Sequence, residues 1–370
     1  MLRCFNARLK PTSRQENGLA ALLAQLCELY NMALEQRRDK FRLGFSTTLY
    51  EQQCELTQLR NGYAEYERFP AAIQRDPLRR VQRAFDGFFR RCRSGEKPGY
   101  PRFRAQHRYN SFTVDAQNFR IECDRLIVVK LGGFRFRTRC RIRGTLKQLV
   151  VKRRGSRWAA TITCEIGPAP KKVVASSAIG IDLGLTALAT LSDGSEIKNP
   201  RWMRREEEHV AAANRALSRK VEGSRNRLKA KQRLHGIHQR IRGLRRSYLH
   251  QISTLLVTNY DLIALEKLNI RGMARGNFAK SIMDAAWGEL VWQITYKAES
   301  AGKWAVLVNP KGTTQRCSRC GAIVPKTICD RRHDCPKCGL SLSRDHNSAR
   351  EVHALGESAV ERMAKCLPIK

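Results

Sequence analysis

Acidic side chains and long apolar runs are both scarce in this 370-residue sequence. No stretch approaches the ~18 consecutive apolar residues of a membrane-spanning helix, and the N-terminal residues lack the apolar core of a signal peptide. The chain has 33 Asp and Glu against 70 Lys and Arg, a formal net charge of +37 at pH 7. Such an excess repels itself in a compact fold unless a polyanion neutralises it, so the expected partner is nucleic acid. The alternatives are a membrane surface and a merely soluble basic protein.

The 13 cysteines, without a secretion signal, predict a reducing compartment in which clustered cysteines bind metal rather than form disulfides. Four of them form two CxxC pairs: Cys317, Cys320, Cys335 and Cys338. Each pair bends the chain so that two thiolates reach one ion, and two pairs predict a tetrahedral four-sulfur zinc site of the ribbon or knuckle type. Cys329 and His333 lie between the pairs and could substitute as ligands, with poorer spacing. A closed four-thiolate site is structural, so zinc is not assigned to the chemistry.

Three acids stand at positions where a carboxylate needs an explanation. Asp182 lies in AIGIDLGLTALATLSDG, which is typical of a buried strand, a tight turn and a second strand. Glu266 ends the apolar strand LIALE, and Asp345 begins the predicted helix DHNSAREVHALGESAVERM. Converging carboxylates form sites for hard divalent cations, and two such ions can activate water for phosphodiester hydrolysis. For Asp182 alone, a strand-end cap is the alternative. Sugar kinases, actins and heat-shock chaperones carry a similar GIDLG, but a second Gly/Thr-rich phosphate loop is not recognisable here.

The pattern of the first half predicts a helical region followed by strands. Residues 1–8 read as a strand, and residues 12–41 as a helix with an apolar stripe and capping-box spacing between Ser13 and Glu16. The stripe residues are Leu19, Leu22, Leu23, Leu26, Tyr30 and Leu34. A second helix carries Leu78, Val81, Phe85, Phe88, Phe89 and Cys92, a stripe expected in the core. A Gly/Pro-rich linker (94–103) follows, and residues 110–167 read as strands.

The clearest strand is FRFRTRCRIR, residues 134–143, in which apolar and basic residues alternate. One face would carry Arg135, Arg137, Arg139, Arg141 and Arg143. Because each guanidinium can bond a phosphate in a fork, five arginines on one face indicate nucleic-acid contact. A plain exposed edge strand is the alternative, since basic residues also protect edges.

Beyond a linker at 167–177, strands and helices alternate. LIALE and KWAVLV (303–308) are predicted strands, and a long basic helical region covers 215–257. Solenoid repeats are not recognisable.

Taken in order, these motifs resemble the TnpB family, which bacterial insertion sequences encode. The matching pieces are GIDLGLTALATLSDG, LIALEKLNI, TTQRCSRCG, CPKCG and SRDHNSARE, with RLKPT, YNMAL and AFDGFFRRCRSGEKPGYPRFR in the N-terminal half. They cover nearly the whole chain, and the ordered combination is specific, although GIDLG alone is not. Lys267 departs from the family pattern by replacing an acid, and Ser343 and Ser348 replace an acid and an alanine. None of these changes removes an expected metal ligand.

The resemblance implies an RNA-guided DNA endonuclease similar to a minimal ancestor of type V CRISPR effectors, which cleaves DNA next to a short adjacent motif. Asp182, Glu266 and Asp345 fall on the family's catalytic Mg²⁺-binding positions, and the four paired cysteines fall on its zinc ligands. The implied partners are a guide RNA made from the element's end and double-stranded target DNA. The implied location is the bacterial cytoplasm, at the nucleoid. The alternatives are an RNA-guided binder or repressor that does not cut, which the intact acids argue against, and a guide-free transposition-associated DNA-binding protein.

The implied fold is multidomain α+β, with an RNase H-like (RuvC) α/β nuclease domain that carries a zinc-binding insert. A β-barrel wedge domain, itself interrupted by a helical recognition bundle, precedes the nuclease domain. The expected boundaries are 1–8 and 107–170 for the wedge, 9–106 for the bundle, 171–311 and 341–370 for the nuclease, and 312–340 for the zinc insert.

Overall fold

The computed structural model describes residues 1–155, 157–327 and 330–365. The chain divides into two compact units, Met1–Pro168 and Ala169–Lys370. Each unit combines helices with sheet, so the chain is a multidomain α+β protein. Across the described ranges, no helix has both the length and the apolar character needed to span a membrane.

The first unit opens with strand β1 (Leu2–Lys10) and four helices: α1 (Ser13–Arg42), α2 (Leu49–Gly62), α3 (Ala64–Glu67) and α4 (Ala71–Arg93). The helix predicted over 12–41 is confirmed as α1, and its six stripe residues are buried. The predicted capping box is wrong by one position. The Thr12 side chain accepts the Gln15 N–H, and the Gln15 side chain accepts the Thr12 N–H. Thr12 has the extended backbone of an N-cap, whereas Ser13 is already helical.

The apolar stripe of α4 belongs to the core only in part. Val81 is fully buried and Phe85 is 9% exposed, but Phe89 is 53% exposed and Cys92 is exposed. The core assignment is therefore wrong for the last turn of α4. There the aromatic rings contact each other and the linker instead: the ring centroids of Phe88 and Tyr100 lie 5.4 Å apart.

Six strands between residues 110 and 167 confirm the predicted strand region. They are β2 (Ser111–Asp115), β3 (Phe119–Glu122), β4 (Arg125–Val128), β5 (Gly132–Thr138), β6 (Thr145–Arg154) and β7 (Arg157–Glu165). With β1 they form one seven-stranded sheet, in the order β2-β6-β7-β1-β5-β4-β3, in which every pairing is antiparallel. β1 lies at the centre because it pairs with β7 on one side and β5 on the other. Alternate β1 residues, namely Phe5, Ala7 and Leu9, enter the core.

The second unit is built on a five-stranded mixed sheet. Its strands are β8 (Ala178–Leu183), β9 (Ala187–Leu191), β10 (Glu196–Lys198), β11 (Leu262–Glu266) and β12 (Trp304–Val308), in the order β10-β9-β8-β11-β12. β8, β11 and β12 are parallel, whereas β9 returns antiparallel to β8 through a tight turn. The predicted strand–turn–strand and the two later strands are confirmed. A separate hairpin consists of β13 (Arg332–Asp334) and β14 (Ser341–Ser343).

The helices of the second unit are α5 (Trp202–Arg205), α6 (Glu207–Ser218), α7 (Arg225–Asn259), α8 (Ile270–Met273), α9 (Ala279–Ala285), α10 (Trp287–Ser300) and α11 (Arg344–Lys365). The predicted basic helical region is confirmed, with a break at 219–224, where Gly223 has a φ of +81°. The predicted helix beginning near Asp345 is confirmed as α11.

The side-chain alternation of the strands separates two helix layers. Ile179, Ile181, Ile263 and Leu265 pack in one cluster with residues of α7 and α10. Leu262 and Ala264 pack in another cluster with Val352 of α11. Because successive strand residues point to opposite faces, the α11 face of the sheet also receives Gly180, Asp182 and Glu266.

Candidate active site and cysteine cluster

Asp182 and Glu266 lie near the carboxyl ends of β8 and β11, two neighbouring inner strands of the second-unit sheet. In the register of β8 and β11, Gly180 is opposite Ala264 and Ile181 is opposite Leu265. The strands are parallel, so both carboxylates stand near the carboxyl ends of adjacent strands, and both point to the face that α11 covers. Glu266 is 7% exposed, and Asp182 is half-buried.

The third carboxylate comes from the helix that covers this face. Asp345 lies in the first turn of α11, which packs against both strands. The approach is close because small residues line the contact. A Cβ atom on Gly180 would lie 2.2 Å from the Ala349 carbonyl oxygen, and one on Gly356 would lie 2.4 Å from Ala264 Cβ. The first turn of α11 is thereby held over the ends of β8 and β11.

The three acids line a single cavity of 770 Å³. Two further carboxylates share it, and each already has a basic partner. Asp284 pairs with Arg245 at 2.8 Å, and Glu207 pairs with Lys280. Basic side chains also line the wall: Arg201, Arg204, Lys280, Arg331 and Arg344. The cavity therefore combines acids from five separate segments with surrounding cationic groups.

The electrostatics of the cavity disfavour a bare negative charge on Asp182. Burial, with the nearby charges of Glu266 and Asp345 adding to it, raises the pKa of Asp182 to about 8, although Arg344 acts in the opposite direction. Burial also raises the pKa of Glu266, which a hydrogen bond from Thr313 partly offsets. Arg344 Nε lies 3.2 Å from Asp345 Oδ1.

This donor set fits a hard divalent cation. Carboxylate oxygens are the ligands that Mg²⁺ prefers, and a bound cation would offset both the burial and the mutual repulsion that raise the pKa of Asp182. The three carboxylates share a cavity, but within the described ranges only the four paired cysteines have their ligand atoms all within 4.8 Å of one another. The fit of the three acids to a divalent cation therefore rests on their residue type and their shared cavity.

The two CxxC pairs adopt matching turns. Gly321 N–H donates to the Cys317 carbonyl, and Gly339 N–H donates to the Cys335 carbonyl, each at 2.9 Å. Both glycines have a positive φ, +73° for Gly321 and +70° for Gly339, which is a left-handed conformation that glycine adopts without strain. The sequence places a glycine directly after each pair because the turn requires it.

The four sulfurs form the cluster that the spacing predicts. The Sγ atoms of Cys317 and Cys338 are 3.6 Å apart, as are those of Cys320 and Cys335. Burial raises the pKa of Cys335, but backbone N–H donors more than offset this and lower it to about 6, which favours the thiolate that binds metal. The donor set therefore fits one structural metal ion such as zinc.

Of the two candidate substitute ligands, His333 is not part of this cluster. His333 is fully buried on β13, and its Nδ1 contacts Lys326 Nζ rather than a sulfur. Cys329 lies outside the described residues.

One buried amide fastens the cysteine cluster to α11. Asn347 Oδ1 accepts the Ser318 N–H at 3.0 Å, and its Nδ2 donates to the Arg316 carbonyl at 2.8 Å. These two groups flank Cys317, and Asn347 is fully buried two residues after Asp345. The sequence does not indicate this role of Asn347, because a single asparagine inside a helix does not contribute to the periodic pattern of apolar residues.

The predicted arginine strand is shorter than expected. β5 ends at Thr138, so Arg135 and Arg137 lie in the sheet, while Arg139, Arg141 and Arg143 lie beyond it. The pairing of β1 with β5 reaches only Thr138, whose Oγ1 bonds the backbone of Cys140 and turns the chain. All five arginines are exposed. Arg141 and Arg143 line a separate cavity of 620 Å³ together with Arg3.

Neighbouring strands extend the basic face beyond what the sequence predicts. Arg135 is paired with Lys10 of β1 on one side and Arg125 of β4 on the other, and Arg137 is paired with Arg8. Directly opposed residues of an antiparallel pair share a face. Five exposed basic side chains thus form one patch, which we call the β5 patch. Only the strand register reveals the whole patch, because Arg8 and Lys10 lie more than a hundred residues from the other three members.

Comparison with known proteins places the chain in a family. A family model described as "Probable transposase" matches residues 161–277, and a second, "Cas12f1-like, TNB domain", matches residues 287–352. A Streptomyces pristinaespiralis protein named "Putative RNA-guided DNA endonuclease" is 31% identical over 96% of this chain and 90% of its own length. The Escherichia coli (strain K12) protein InsQ, named in the same words, is 26% identical over 97% of this chain and 93% of its own length.

The solved structures agree at the level of the fold. The chain superposes with a TM-score of 0.61 and 14% identity on the "Cryo-EM structure of the Cas12f1-sgRNA-target DNA complex", covering 92% of this chain and 83% of that one. With a 31% identical relative matched over nearly its full length, the chain belongs to the TnpB family, as its motifs predict.

Proposed function

We propose that the protein is an RNA-guided DNA endonuclease of an insertion sequence, which cleaves target DNA next to a short adjacent motif by metal-dependent phosphodiester hydrolysis. The observation that carries the proposal is the convergence of Asp182, Glu266 and Asp345 on one cavity. The names of the relatives and the net charge of +37 support it. The partners are a guide RNA and double-stranded DNA, and base pairing with the guide supplies the sequence specificity.

We assign roles to the parts of the fold from the same family resemblance and from their architecture. The five-stranded sheet with helices on both faces supports an RNase H-like (RuvC) nuclease domain, with the cysteine cluster as a zinc-binding insert at 312–340. The seven-stranded sheet would be the wedge domain, and α1–α4 the recognition bundle inserted into it. The domain boundaries are those stated from the sequence.

In the nuclease site, Asp182, Glu266 and Asp345 would hold Mg²⁺, which when bound activates water and stabilises the leaving oxygen of a phosphodiester. The chain's own groups do the remaining work. The basic side chains on the cavity wall would hold the backbone of displaced single-stranded DNA, which must enter this site to be cut. Arg344, paired with Asp345, would keep that carboxylate oriented in the first turn of α11.

The β5 patch is the proposed backbone-binding surface of the first unit. Its five basic residues present guanidinium and ammonium groups on one exposed sheet face. Such a face would bind the phosphates of nucleic acid whatever their sequence, because phosphate contacts position a duplex without reading it.

The test separates cutting from binding. Asp182→Ala removes a proposed metal ligand and leaves guide and target contacts in place, so cleavage should fall by orders of magnitude while RNA-dependent DNA binding stays near wild type. Glu207→Ala is the matched control, because it removes an exposed carboxylate from the same cavity. Both activities are measured on the same preparations, with Mg²⁺ and with EDTA. Full cleavage by the Asp182→Ala protein, or cleavage that EDTA leaves unaffected, would overturn the metal-site assignment.

The same preparations test the guide. The purified protein should carry one discrete RNA, which sequencing of the copurified nucleic acid identifies. Cleavage of target DNA by RNA-free protein would overturn the guided proposal. Sequence-specific DNA binding by RNA-free protein would support the guide-free DNA-binding alternative, and RNA-dependent binding without cleavage by the wild type would support a non-cutting binder.

A further inference from the structure

A buried threonine hydroxyl connects the cysteine cluster to the carboxylates. Thr313 is 2% exposed, and its Oγ1 donates to Glu266 Oε1 at 2.5 Å. The same oxygen lies 3.0 Å from the Pro310 carbonyl oxygen. A hydroxyl has a single hydrogen, and a donor bonds an ionised carboxylate more strongly than a neutral carbonyl. The hydroxyl is therefore committed to Glu266 when that carboxylate is charged.

The backbone around Thr313 fixes the hydroxyl in place. After β12 the chain turns at Gly312, whose φ is +86° and whose carbonyl accepts the N–H groups of Gln315 and Arg316. Glu266 is paired with Val308 in the β11–β12 register, so this turn begins beside the end of β11. The turn thus brings residue 313 to a residue 47 positions earlier in the chain.

The segment that carries Thr313 is anchored at its other end by the metal-binding turn. Thr313 lies four residues before Cys317, and Asn347 holds the backbone on both sides of that cysteine. One short segment therefore contacts Glu266 through Thr313 and the helix of Asp345 through Asn347. Movement of the cysteine cluster would be transmitted to two of the three acids.

We propose that Thr313 is a positioning residue that orients the Glu266 carboxylate for divalent-cation binding, and that the cysteine cluster holds Thr313 in place for this purpose. The inference rests on the proposed metal-binding role of Glu266. The hydroxyl occupies Oε1 and restrains the carboxylate, so Oε2 would remain available to a divalent cation. Loss of a group that orients a metal ligand typically weakens metal affinity ~10–100-fold.

The experiment compares Thr313→Val, which has the same shape without the hydroxyl, with Thr313→Ser, which keeps the hydroxyl. Mn²⁺ serves as the probe, and its binding to the full-length, zinc-containing protein is followed by the EPR signal of free Mn²⁺. Binding that Asp182→Ala abolishes defines the site. Thr313→Val should raise the Mn²⁺ dissociation constant ~10–100-fold, and Thr313→Ser should restore it to near the wild-type value. Thr295→Val, which removes an exposed hydroxyl that donates to the Val291 carbonyl, should leave the Mn²⁺ dissociation constant unchanged.

Zinc content and thermal stability are measured on every variant. If Thr313→Val loses zinc or fails to fold, Thr313→Ala replaces it in the comparison, because it removes the hydroxyl without burying an extra methyl group. Wild-type Mn²⁺ affinity in the folded hydroxyl-free variant, or a Thr313→Ser protein as weak as that variant, overturns the inference. A wild-type protein that binds Mn²⁺ at this site but does not cleave DNA overturns the proposed function and leaves the role of Thr313 standing.

Discussion

The close approach of α11 to Gly180 of β8 makes Gly180→Ala a sharp test of the site geometry. The added Cβ would lie 2.2 Å from the Ala349 carbonyl oxygen, 2.5 Å from the His353 nitrogen and 2.7 Å from His353 Cβ. The first two atoms are backbone of consecutive turns of α11, so no side-chain rotation relieves the overlap. To reach ordinary contact distance, α11 must move away from β8 by ~1 Å.

Two effects follow from that displacement. Overpacking of a dense core costs ~1–3 kcal/mol, and we expect the upper end because the obstructing atoms are backbone. In a domain of ~200 residues, ~3 kcal/mol lowers the Tm by ~6–12 °C. The same displacement moves Asp345 on α11 relative to Asp182, which lies two residues from Gly180. A misplacement of ~1 Å can cost ~100-fold in rate, so cleavage should fall about that far.

The assay combines thermal unfolding with single-turnover cleavage at a temperature where the variant is folded. Gly18→Ala is the matched control, since a Cβ there has no neighbour within 4 Å and Gly18 lies inside α1. That substitution should stabilise the protein by ~0.5–1 kcal/mol, because alanine loses less backbone entropy in a helix than glycine does. A Gly180→Ala protein that melts and cleaves like wild type would show that α11 does not approach β8 as closely as described.

Two further predictions concern the metal cluster and the β5 patch. Purified protein should contain about one zinc per chain, and Cys320→Ser should lose the metal and fold poorly. Cys92→Ser, at an exposed free cysteine, should keep both the metal and the fold. Elemental analysis that finds no zinc in well-folded wild type would contradict this prediction. The double variant Arg135→Gln/Arg137→Gln should bind nucleic acid with a weaker salt dependence. The slope of log binding constant against log salt concentration should become shallower by up to ~2, since each lost phosphate contact contributes ~0.7–0.9. The control combines Arg42→Gln with Arg120→Gln, which removes the same amount of charge from arginines that are already paired with Asp39 and Glu122. If the control protein and the patch variant show an equal change of slope, the patch has no specific role.

Local patterns predicted most of the elements and failed where a tertiary contact intervened. The α1 stripe and the strands before Asp182 and Glu266 follow periodicities that any buried helix or strand must show. The N-cap is Thr12 rather than the predicted Ser13, because Gln15 can complete a capping box with Thr12 as Glu16 could with Ser13. The arginine strand ends at Thr138, although β1 continues to Leu2, because the Thr138 hydroxyl bonds the backbone of Cys140 and turns the chain, which the alternation of residues 134–143 cannot reveal.

The sequence by itself determined the chemistry available to this protein. Four features follow from residue type and short spacing alone: the net charge, the two carboxylates that end apolar strands, the carboxylate that begins a helix, and the two CxxC pairs each with a following glycine. The tertiary structure decided how these groups meet. The register of β8 with β11 placed Asp182 and Glu266 on one face, and Gly180 let α11 bring Asp345 over them. The bond from Thr313 to Glu266 joins residues 47 apart, and such a contact exists only once the chain has folded, because no local interaction along the sequence specifies it.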